Sequence, residues 1–293
     1  MFRIGIIGSD NSHASAFSRL ANMPDERGDF LFPDVKITHI LGDTPLSASC
    51  VAKTCRIPHV AERLEELYGE VDAVMIVYRH GGTHYQSALP FLERGIPVWI
   101  DKPLTIDPKE CLKLIRLAES KKTILAGGST CKYCPDVLRL KSEFLRLQDS
   151  NTFISGAFNF PGEIHSPYGG IYFYGGHAAE ILTTIFGTEV RSIKADVHCG
   201  NLIAIAKYDT FTVTINFSEV PSFYASLYAS SEVVWSGIDI SGIYLQGFAR
   251  FVEALRRNSP VEPPESLLLP VRILNTLERA IRDGEASLLY CFR

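Results

Sequence analysis

Short apolar runs alternate with helical segments over the first 128 residues, and this alternation restricts the fold more than any other feature. The runs are Phe2–Ile7, Val35–Leu41, Ala73–Val77, Val98–Ile100 and Thr123–Ala126. Helices are expected from near Ser12, from Ala61 to Tyr68, from Thr83 to Arg94, and from Pro108 after an Asp107 N-cap. Strands that alternate with helices pair in parallel, so the fold class predicted here is α/β with a doubly wound parallel sheet.

The pattern changes after Gly127-Gly128. A helix is expected from Pro135 to Leu147, several β runs follow one another between 189 and 230, and closing helices are expected over Phe248–Arg257 and Leu267–Arg282. Consecutive strands without intervening helices indicate a mainly antiparallel open sheet, hence an α+β domain. We therefore predict domains over 1–128 and 129–293, with the C-terminal helices packing back on the first.

Composition excludes several classes of partner. The 293 residues suit two domains, and the net charge of −4 gives no reason to expect nucleic acid or an anionic membrane. No apolar run approaches the ~18 residues of a transmembrane helix, and Met1 opens directly into a strand without a signal-peptide layout. Seven scattered cysteines fit a reducing compartment, so we predict a cytoplasmic location. Cys131 and Cys134 could bind zinc or do redox chemistry, but no second Cys/His pair stands at ligand spacing, and no metal site is predicted.

Lys102 is the first candidate for chemistry. It follows the apolar run Val98–Ile100 in the sequence Asp101-Lys102-Pro103. Ligands of open α/β sheets bind outside the carboxyl ends of the strands, so this lysine points into the ligand crevice. Pro103 biases the preceding residue towards extended geometry. A lone Lys-Pro is more often an ordinary surface lysine, and the surrounding pattern decides between the two interpretations.

The turn after the first run is a candidate phosphate site. A strand, a tight turn and a helix N-terminus bind anions through free amides and the helix dipole. The residues in question are Gly8, Ser9, Asn11, Ser12 and His13. The dinucleotide fingerprint has three glycines, whereas here Asp10 and His13 occupy the second and third positions. Asp10 must therefore turn away, to cap the helix near Ser12, or the turn binds something other than a dinucleotide.

Further cofactor contacts are expected at two other strand ends. Asp43 follows the second run, where a carboxylate accepts from both ribose hydroxyls and repels a 2′-phosphate, favouring NAD over NADP. An Asp in this place is also a common turn former. Arg79, His80 and His84 follow the third run, and together with Lys102 they complete the predicted cofactor contacts. A histidine such as His84 more often caps or packs than reacts.

An aromatic, glycine-rich stretch in the second half contains a second candidate. Ala178, Ile181, Leu182 and Ile185 form an apolar helical stripe. His177 and Glu180, at i and i+3, lie together on another face. A histidine at a helix start after Gly175-Gly176 leaves room for a ligand. Taken alone, such a histidine is more often structural.

These motifs together resemble the Gfo/Idh/MocA oxidoreductases, the family of glucose-fructose oxidoreductase and inositol dehydrogenase. Asp101-Lys102-Pro103 looks like the family's Glu-Lys-Pro motif, and Val77–His84 looks like its strand and loop ending in a histidine. Gly175, His177 and Glu180 match its Asp-x-Gly-x-His-x-x-Asp element, with Phe173 where the first acid belongs. The resemblance implies a Rossmann-type dinucleotide-binding first domain and a second domain for substrate and oligomerisation.

The resemblance implies an NAD(P)-dependent oxidoreductase that moves hydride between a nicotinamide and a secondary alcohol or carbonyl of a sugar- or polyol-like substrate. His177 would act as the base, since its ordinary pKa near 6.5 lets it accept a proton at neutral pH. Lys102 would hydrogen-bond the same oxygen, and Glu180 would orient the imidazole. Tyr172 and Tyr174 would either supply hydroxyls to the substrate or pack between the domains.

Two other functions remain open. A non-catalytic ligand-binding or regulatory protein would explain Phe173 and Asp10, and an NAD-using glycoside hydrolase or lyase would use the same fold. Retention of both Lys102 and His177 favours chemistry.

The runs 212–218 and 223–228 suggest an assembly surface. Each alternates apolar residues with small polar or tyrosine residues, so one face of the sheet is apolar and the other polar. The second face is either solvated or a subunit interface. The family resemblance favours a homodimer or homotetramer formed through this C-terminal sheet.

Overall fold

The computed structural model describes residues 1–218, 220–260, 262–263 and 265–287, which form two compact units. The first unit comprises Met1–Thr105, Lys109–Gly128 and Tyr244–Leu267. The second comprises the described residues of 106–108, 129–243 and 268–293. The chain therefore leaves the first unit and later returns to it.

A six-stranded parallel sheet is the centre of the first unit. Its strands are β1 (Phe2–Ile7), β2 (Val35–Leu41), β3 (His59–Ala61), β4 (Ala73–Ile76), β5 (Val98–Ile100) and β6 (Leu125–Gly127). Their order in the sheet is β3-β2-β1-β4-β5-β6, and every pair is parallel. This is the doubly wound order that the sequence predicted. Its strand order reverses between β1 and β4, which is where such sheets bind ligands.

Five helices belong wholly or mainly to the first unit. They are α1 (Ser12–Asn22), α2 (Pro45–Cys55), α3 (His84–Glu93), α4 (Pro108–Lys121) and α7 (Ile243–Arg257). The predicted starts of α1 and α4 are confirmed. The helix predicted over 61–68 is wrong, because the chain ends β3 there and makes only a 3-10 turn at Leu64–Leu67. Sequence reasoning also missed α2, whose first turn is closed by a capping box between Thr44 and Ser47.

Helix α7 completes the core of the first unit from far along the chain. The ring of Phe248 stacks on Phe17 of α1 with centroids 6.1 Å apart, and Phe251 lies 5.8 Å from Trp99 of β5. All four rings are buried. Buried aromatic rings remove large apolar areas from water, so α7 contributes to the stability of this unit.

A seven-stranded sheet forms the second unit. Its strands are β7 (Phe153–Pro161), β8 (Ser192–His198), β9 (Asn201–Lys207), β10 (Thr212–Ser218), β11 (Tyr224–Ala229), β12 (Val233–Gly237) and β13 (Glu285–Ser287). The order is β12-β11-β7-β10-β9-β8-β13, and every pair is antiparallel except β7 with β10. The predicted fold class is therefore confirmed for this half as well.

One face of this sheet packs on helices and the other is exposed. The helices are α5 (Pro135–Asp149), α6 (Tyr172–Phe186) and α8 (Glu265–Asp283). At Gly156 of β7 a Cβ atom would lie only 2.3 Å from the ring of Phe186, so α6 lies directly on the strand. Val213, Ile215 and Phe217 are buried on this inner face, as the alternation predicted.

The outer face is more apolar than the sequence pattern suggested. It carries the exposed side chains of Ile203, Tyr224, Tyr228, Val233 and Trp235. Trp235 is 69% exposed, which is unusual for so large a ring. Among the described helices, none has the length and apolarity that crossing a membrane requires.

Candidate functional site

Gly8 shapes the turn between β1 and α1. Its φ is +105°, and a Cβ atom there would lie 2.8 Å from the backbone nitrogen of Tyr78. Residues other than glycine rarely adopt this backbone conformation, and their Cβ atom would collide with the chain that leaves β4. The turn is thereby held against the end of β4, where the strand order reverses.

Asp43 is held at this turn by two amides. Its Oδ2 accepts from the backbone N–H of Ser9 at 2.7 Å and from that of Asp10 at 2.8 Å. The Asp43 amide in turn donates to Ser9 Oγ at 3.1 Å. The carboxylate predicted to read the ribose is therefore fixed beside the phosphate turn, and both amide bonds end on the same oxygen. Its negative charge and the burial of Tyr78 raise the pKa of that phenol to about 12, with burial the larger cause.

Asn11, rather than Asp10, caps helix α1. The Asn11 Oδ1 accepts from the amides of His13 at 2.8 Å and Ala14 at 3.1 Å, and its Nδ2 donates to Val77 O. Among the described residues, no acceptor is found for the amides of Asn11 and Ser12 at the first turn. Two donors at a helix N-terminus therefore remain for an anionic ligand.

Asp10 does not cap α1, so the prediction that it caps this helix is wrong. Its side chain is exposed, and its Oδ1 lies 3.8 Å from Nη2 of Arg79. The guanidinium at the end of β4 offsets the carboxylate that stands in the second fingerprint position. His80 next to it accepts from the amide of Gly82 at 3.0 Å and so caps a short 3-10 turn.

His84 is an interior residue, which corrects the prediction that it contacts a cofactor directly. Its side chain is completely buried, with Nδ1 2.8 Å from Pro103 O and Nε2 3.0 Å from Tyr78 O. Burial lowers the pKa of this imidazole. The ring links the chain segments that leave β4 and β5, so its influence on any ligand passes through those two segments.

Lys102 is buried at the carboxyl end of β5, with only 4% of its surface exposed. The interpretation as an ordinary surface lysine is therefore wrong. The amide of Asp101 donates to Ile76 O at 2.8 Å, and the peptide bond to Pro103 is cis. Pro103 lies over Gly81, where a Cβ atom would come within 2.5 Å of its ring. The backbone on both sides of Lys102 is thus held tightly.

The side chains of His13 and Asp101 are in contact, and each of the two residues differs from the family pattern at its position. The His13 Nδ1 lies 2.6 Å from Asp101 Oδ2, and both side chains are largely buried. A histidine where the fingerprint has its third glycine reaches from α1 to the end of β5. Tyr244 of α7 completes this corner, with its ring 5.0 Å from that of His13 and its hydroxyl 3.2 Å from Ser12 Oγ.

In the second unit, His177 lies in the second turn of α6 and is 8% exposed. The expectation that it begins a helix is wrong, because Gly175-Gly176 lie inside α6. A Cβ atom at Gly175 would come within 3.0 Å of Leu274, so the glycine allows α8 to approach closely. Close packing, rather than a chain break, explains this glycine.

The Nδ1 atom of His177 faces the segment that precedes α5. It lies 2.6 Å from Ser129 Oγ and 3.5 Å from Cys131 Sγ, and the Cys131 amide donates to Ser129 Oγ at 3.1 Å. The ring of Phe160 lies against the imidazole with centroids 5.6 Å apart. These contacts fix the plane and direction of the ring.

Glu180 reaches the same segment through different atoms. Its Oε1 accepts from the backbone N–H of Ser129 at 3.1 Å, and its Oε2 lies 3.6 Å from Nζ of Lys132. Both charged side chains are at least nine-tenths buried. The prediction that Glu180 orients the His177 imidazole stays a prediction, and the described contacts link the two residues through Ser129, whose hydroxyl lies at Nδ1 and whose amide donates to Glu180.

The two predicted substrate tyrosines have different surroundings. The Tyr172 hydroxyl donates to Glu278 Oε2 at 2.9 Å and accepts from Asn275 at 3.3 Å, and burial raises its pKa. It is thus engaged by α8, and we omit it from the proposed substrate contacts. Tyr174 is only partly buried and lies 6.3 Å from the His177 ring. Phe173 packs against the ring of Tyr174 at 4.9 Å.

The two cysteines of the Cys-x-x-Cys sequence point to different partners. Cys131 faces His177, whereas Cys134 donates to Asp239 O at 3.1 Å. Burial raises the pKa of the Cys134 thiol. In the described residues, no group of three or more His, Cys, Asp and Glu side chains could hold a metal ion.

Comparison with known proteins assigns the first domain. Residues 2–129 match the model of the Gfo/Idh/MocA family, described as an oxidoreductase family with an NAD-binding Rossmann fold. This stretch of the chain is therefore similar to the Gfo/Idh/MocA oxidoreductases. The resemblance deduced from the sequence is thereby confirmed for these residues.

Relatives extend this picture to the fold of both halves. The Salmonella typhimurium protein named "Putative oxidoreductase YceM" is 32% identical over 92 residues, which cover 31% of this chain and 29% of the relative. GenD2 of gentamicin A biosynthesis, solved with NAD, is 14% identical with a TM-score of 0.81 over 98% of this chain and 96% of GenD2. The scyllo-inositol dehydrogenase of Lactobacillus casei, solved with NAD(H) and scyllo-inositol, is 13% identical with a TM-score of 0.81 over 98% and 99%. At such identities the two structures show a shared fold.

Sequence reasoning missed Ser129, Lys132 and Tyr244. Ser129 follows β6 immediately after Gly127-Gly128, so the strand-end argument that selected Lys102 would have selected it too. Lys132 looked like part of a cysteine motif. Tyr244 had no detectable signal, because its contact with Ser12 spans 232 positions.

A double-mutant cycle tests the contact between His13 and Asp101. His13→Ala and Asp101→Asn should each lower the free energy of unfolding, and the double variant should lose less than the sum because the two changes remove one shared interaction. We expect an interaction energy of about 0.5–3 kcal/mol. Urea unfolding followed by fluorescence of Trp99, which lies in the core of this unit, measures it.

The exposed pair Arg256–Asp34 in the same unit is the control cycle, since both side chains are about two-fifths exposed. Exposed ion pairs typically contribute ~0.2–1 kcal/mol. Additive losses at His13 and Asp101 would show that the two residues do not act together.

Proposed function

We propose that this protein is an NAD-dependent oxidoreductase that oxidises a secondary alcohol, or reduces the corresponding carbonyl, of a sugar- or polyol-like substrate. One observation carries the proposal: a buried lysine ends β5 in a domain that matches the model of an NAD-binding oxidoreductase family. A buried lysine is costly to retain without a use or a partner. We keep the predicted division of labour, with dinucleotide binding by residues 1–128 and substrate binding and assembly by 129–293.

The residues of the turn fit a dinucleotide. The amides of Asn11 and Ser12 would bind the pyrophosphate at the start of an 11-residue helix, and the Ser12 and Tyr244 hydroxyls lie beside them. Asp43 would accept from the ribose hydroxyls while its Oδ2 keeps the two turn amides. The Arg79 guanidinium offsets the charge of Asp10.

When bound, NAD supplies an acceptor for hydride from the carbinol carbon. His177 would take the hydroxyl proton at Nε2, because Nδ1 faces Ser129. The Lys102 ammonium would hydrogen-bond the same oxygen and stabilise the charge that develops as its proton leaves. A polyol substrate is proposed from the inositol dehydrogenase among the structural relatives.

The non-catalytic interpretation loses its two supporting observations. Asp10 is exposed and lies 3.8 Å from the Arg79 guanidinium, which offsets its charge beside an anion site. Phe173 supplies no polar group to His177, but the hydroxyl of Ser129 contacts this histidine. No described feature favours a glycoside hydrolase or lyase over a dehydrogenase, so we propose a single function.

Asp43 should determine the choice of nucleotide. The wild-type protein should bind NAD(H) more tightly than NADP(H). The Asp43→Ala variant should lose about tenfold in NAD affinity, or 1.4 kcal/mol, and the difference in affinity between NAD(H) and NADP(H) should become smaller. Asp43→Asn keeps the shape and loses the charge, so it should narrow the difference with a smaller loss of NAD affinity. Calorimetry measures all four affinities. Binding of neither nucleotide at millimolar concentration would support the non-catalytic alternative.

Lys102 and His177 should both be needed for turnover. Lys102→Met and His177→Ala should each lower kcat steeply, by ~10²–10⁴-fold for the base, while NAD affinity changes little. If both act on one oxygen, the double variant should lose far less than the product of the two losses. Steady-state kinetics with a panel of polyols, beside NAD calorimetry, provides the test. Near-normal kcat in both single variants would remove the pair from the chemistry.

We also propose that the protein forms a homodimer or homotetramer through the outer face of the second sheet. This face carries Tyr224, Tyr228 and Trp235 beside the aliphatic Ile203 and Val233, all exposed. Aromatic residues are enriched in interfaces, and exposed apolar patches of this kind mark interaction surfaces.

Trp235→Glu should shift the oligomer towards monomer, because it places a charge on an apolar surface that the proposed interface would remove from water. Light scattering at micromolar concentration measures the mass. Leu46→Glu, at an equally exposed side chain of α2, is the control and should leave the mass unchanged. A monomeric wild-type protein would exclude the interface.

A further inference from the structure

The imidazole of His177 has no acid at the position where the family element carries one. Phe173 occupies that position, four residues before His177 on α6, and its ring packs 5.1 Å from Tyr168 and 4.9 Å from Tyr174. An aromatic carbon ring offers no strong acceptor for an imidazole N–H. A histidine that is to act as a base must therefore be oriented by another group.

The position of Ser129 makes it the candidate for the group that orients the His177 imidazole. The serine is completely buried, and its Oγ lies 2.6 Å from His177 Nδ1. The oxygen also accepts from the Cys131 amide at 3.1 Å, while the Ser129 amide donates to Glu180 Oε1 at 3.1 Å. Both ends of the residue are thereby held, so the hydroxyl oxygen cannot move far from Nδ1.

Charge on the same segment favours an oxygen that accepts from the imidazole. A hydroxyl oxygen has two lone pairs, so it can accept from the Cys131 amide and also from an Nδ1–H, and it can equally donate its own hydrogen to an Nδ1 that carries none. The Glu180 carboxylate, which pairs with Lys132 at 3.6 Å, accepts from the Ser129 amide, and a carboxylate on this side favours an imidazole that directs an N–H towards the serine over one that accepts from it. Cys131 Sγ, at 3.5 Å from the same nitrogen, is a weaker acceptor.

We propose that Ser129 is the positioning residue for His177, accepting a hydrogen bond from Nδ1–H so that Nε2 is the nitrogen that takes the substrate proton. In the neutral ring Nδ1 carries the proton and Nε2 has the free lone pair. When the substrate hydroxyl gives its proton to Nε2, the Nδ1–H bond to Ser129 is retained. The inference rests on the proposed role of His177 as the base, and it assigns the positioning of the imidazole to a serine outside α6.

The protonation of the ring nitrogens tests this without substrate. Nitrogen-15 NMR of histidine-labelled protein, recorded over a pH series that reaches the neutral form of the ring, distinguishes Nδ1–H from Nε2–H, and His177→Gln identifies the signals. We expect Nδ1–H in the wild-type protein and a shift towards Nε2–H in Ser129→Ala. Ser142→Ala, an exposed serine of α5, is the matched control and should leave the signals unchanged. Nε2–H in the wild-type protein, or an unchanged ring in Ser129→Ala, would overturn the proposal.

Kinetics provides the second readout. Ser129→Ala should lower kcat by at least about tenfold, within the ~10²–10⁴-fold that a general base contributes, with KM and NAD affinity nearly unchanged. Ser129→Thr keeps the hydroxyl and should recover part of kcat. Equal losses in kcat and NAD affinity, or no advantage of Thr over Ala, would indicate a structural role only.

The two experiments separate the two proposals. A wild-type protein without dehydrogenase activity would contradict the proposed function, whereas the NMR result on Nδ1 is obtained independently of turnover. Should Ser129→Ala fail to fold, the wild-type spectrum still decides which nitrogen carries the proton.

Discussion

Buried charge is the constraint on which the candidate site in each unit depends. Taking a carboxylate or an ammonium out of water costs several kcal/mol unless partners are supplied. Asp101 lies against His13, and Glu180 accepts from the Ser129 amide and pairs with Lys132. Each arrangement connects a strand end or turn to a helix or a second loop. Satisfying these charges therefore also sets the positions of the side chains that the proposed chemistry uses.

The departures from the family pattern are linked in pairs. The histidine in the glycine turn meets the aspartate that precedes Lys102, and the phenylalanine in the histidine element is accompanied by Ser129 at the imidazole. Asp10, the remaining departure, faces Arg79. Taken one at a time, each change suggests a damaged site. In three dimensions each of these places has a polar or charged neighbour close by.

Sequence reasoning was strongest where local periodicity and chain direction determine position. The parallel sheet and the location of Lys102 followed from apolar runs and from the rule about strand ends. The start of α6 could not be predicted, because Gly175-Gly176 look like a chain break and only packing on Leu274 explains a helix there. The contact of Ser129 with His177 spans 48 positions and that of Ser12 with Tyr244 spans 232, and one sequence contains no signal for such pairs.

The return of α7 to the first unit has a consequence for synthesis on the ribosome. Phe17 and Trp99 emerge early, but the rings that cover them, Phe248 and Phe251, emerge about 150 residues after Trp99. At ~5–20 residues per second, the nascent first unit exposes aromatic surface for roughly 7 to 30 seconds. The unit that begins the chain is thus among the last parts to be completed.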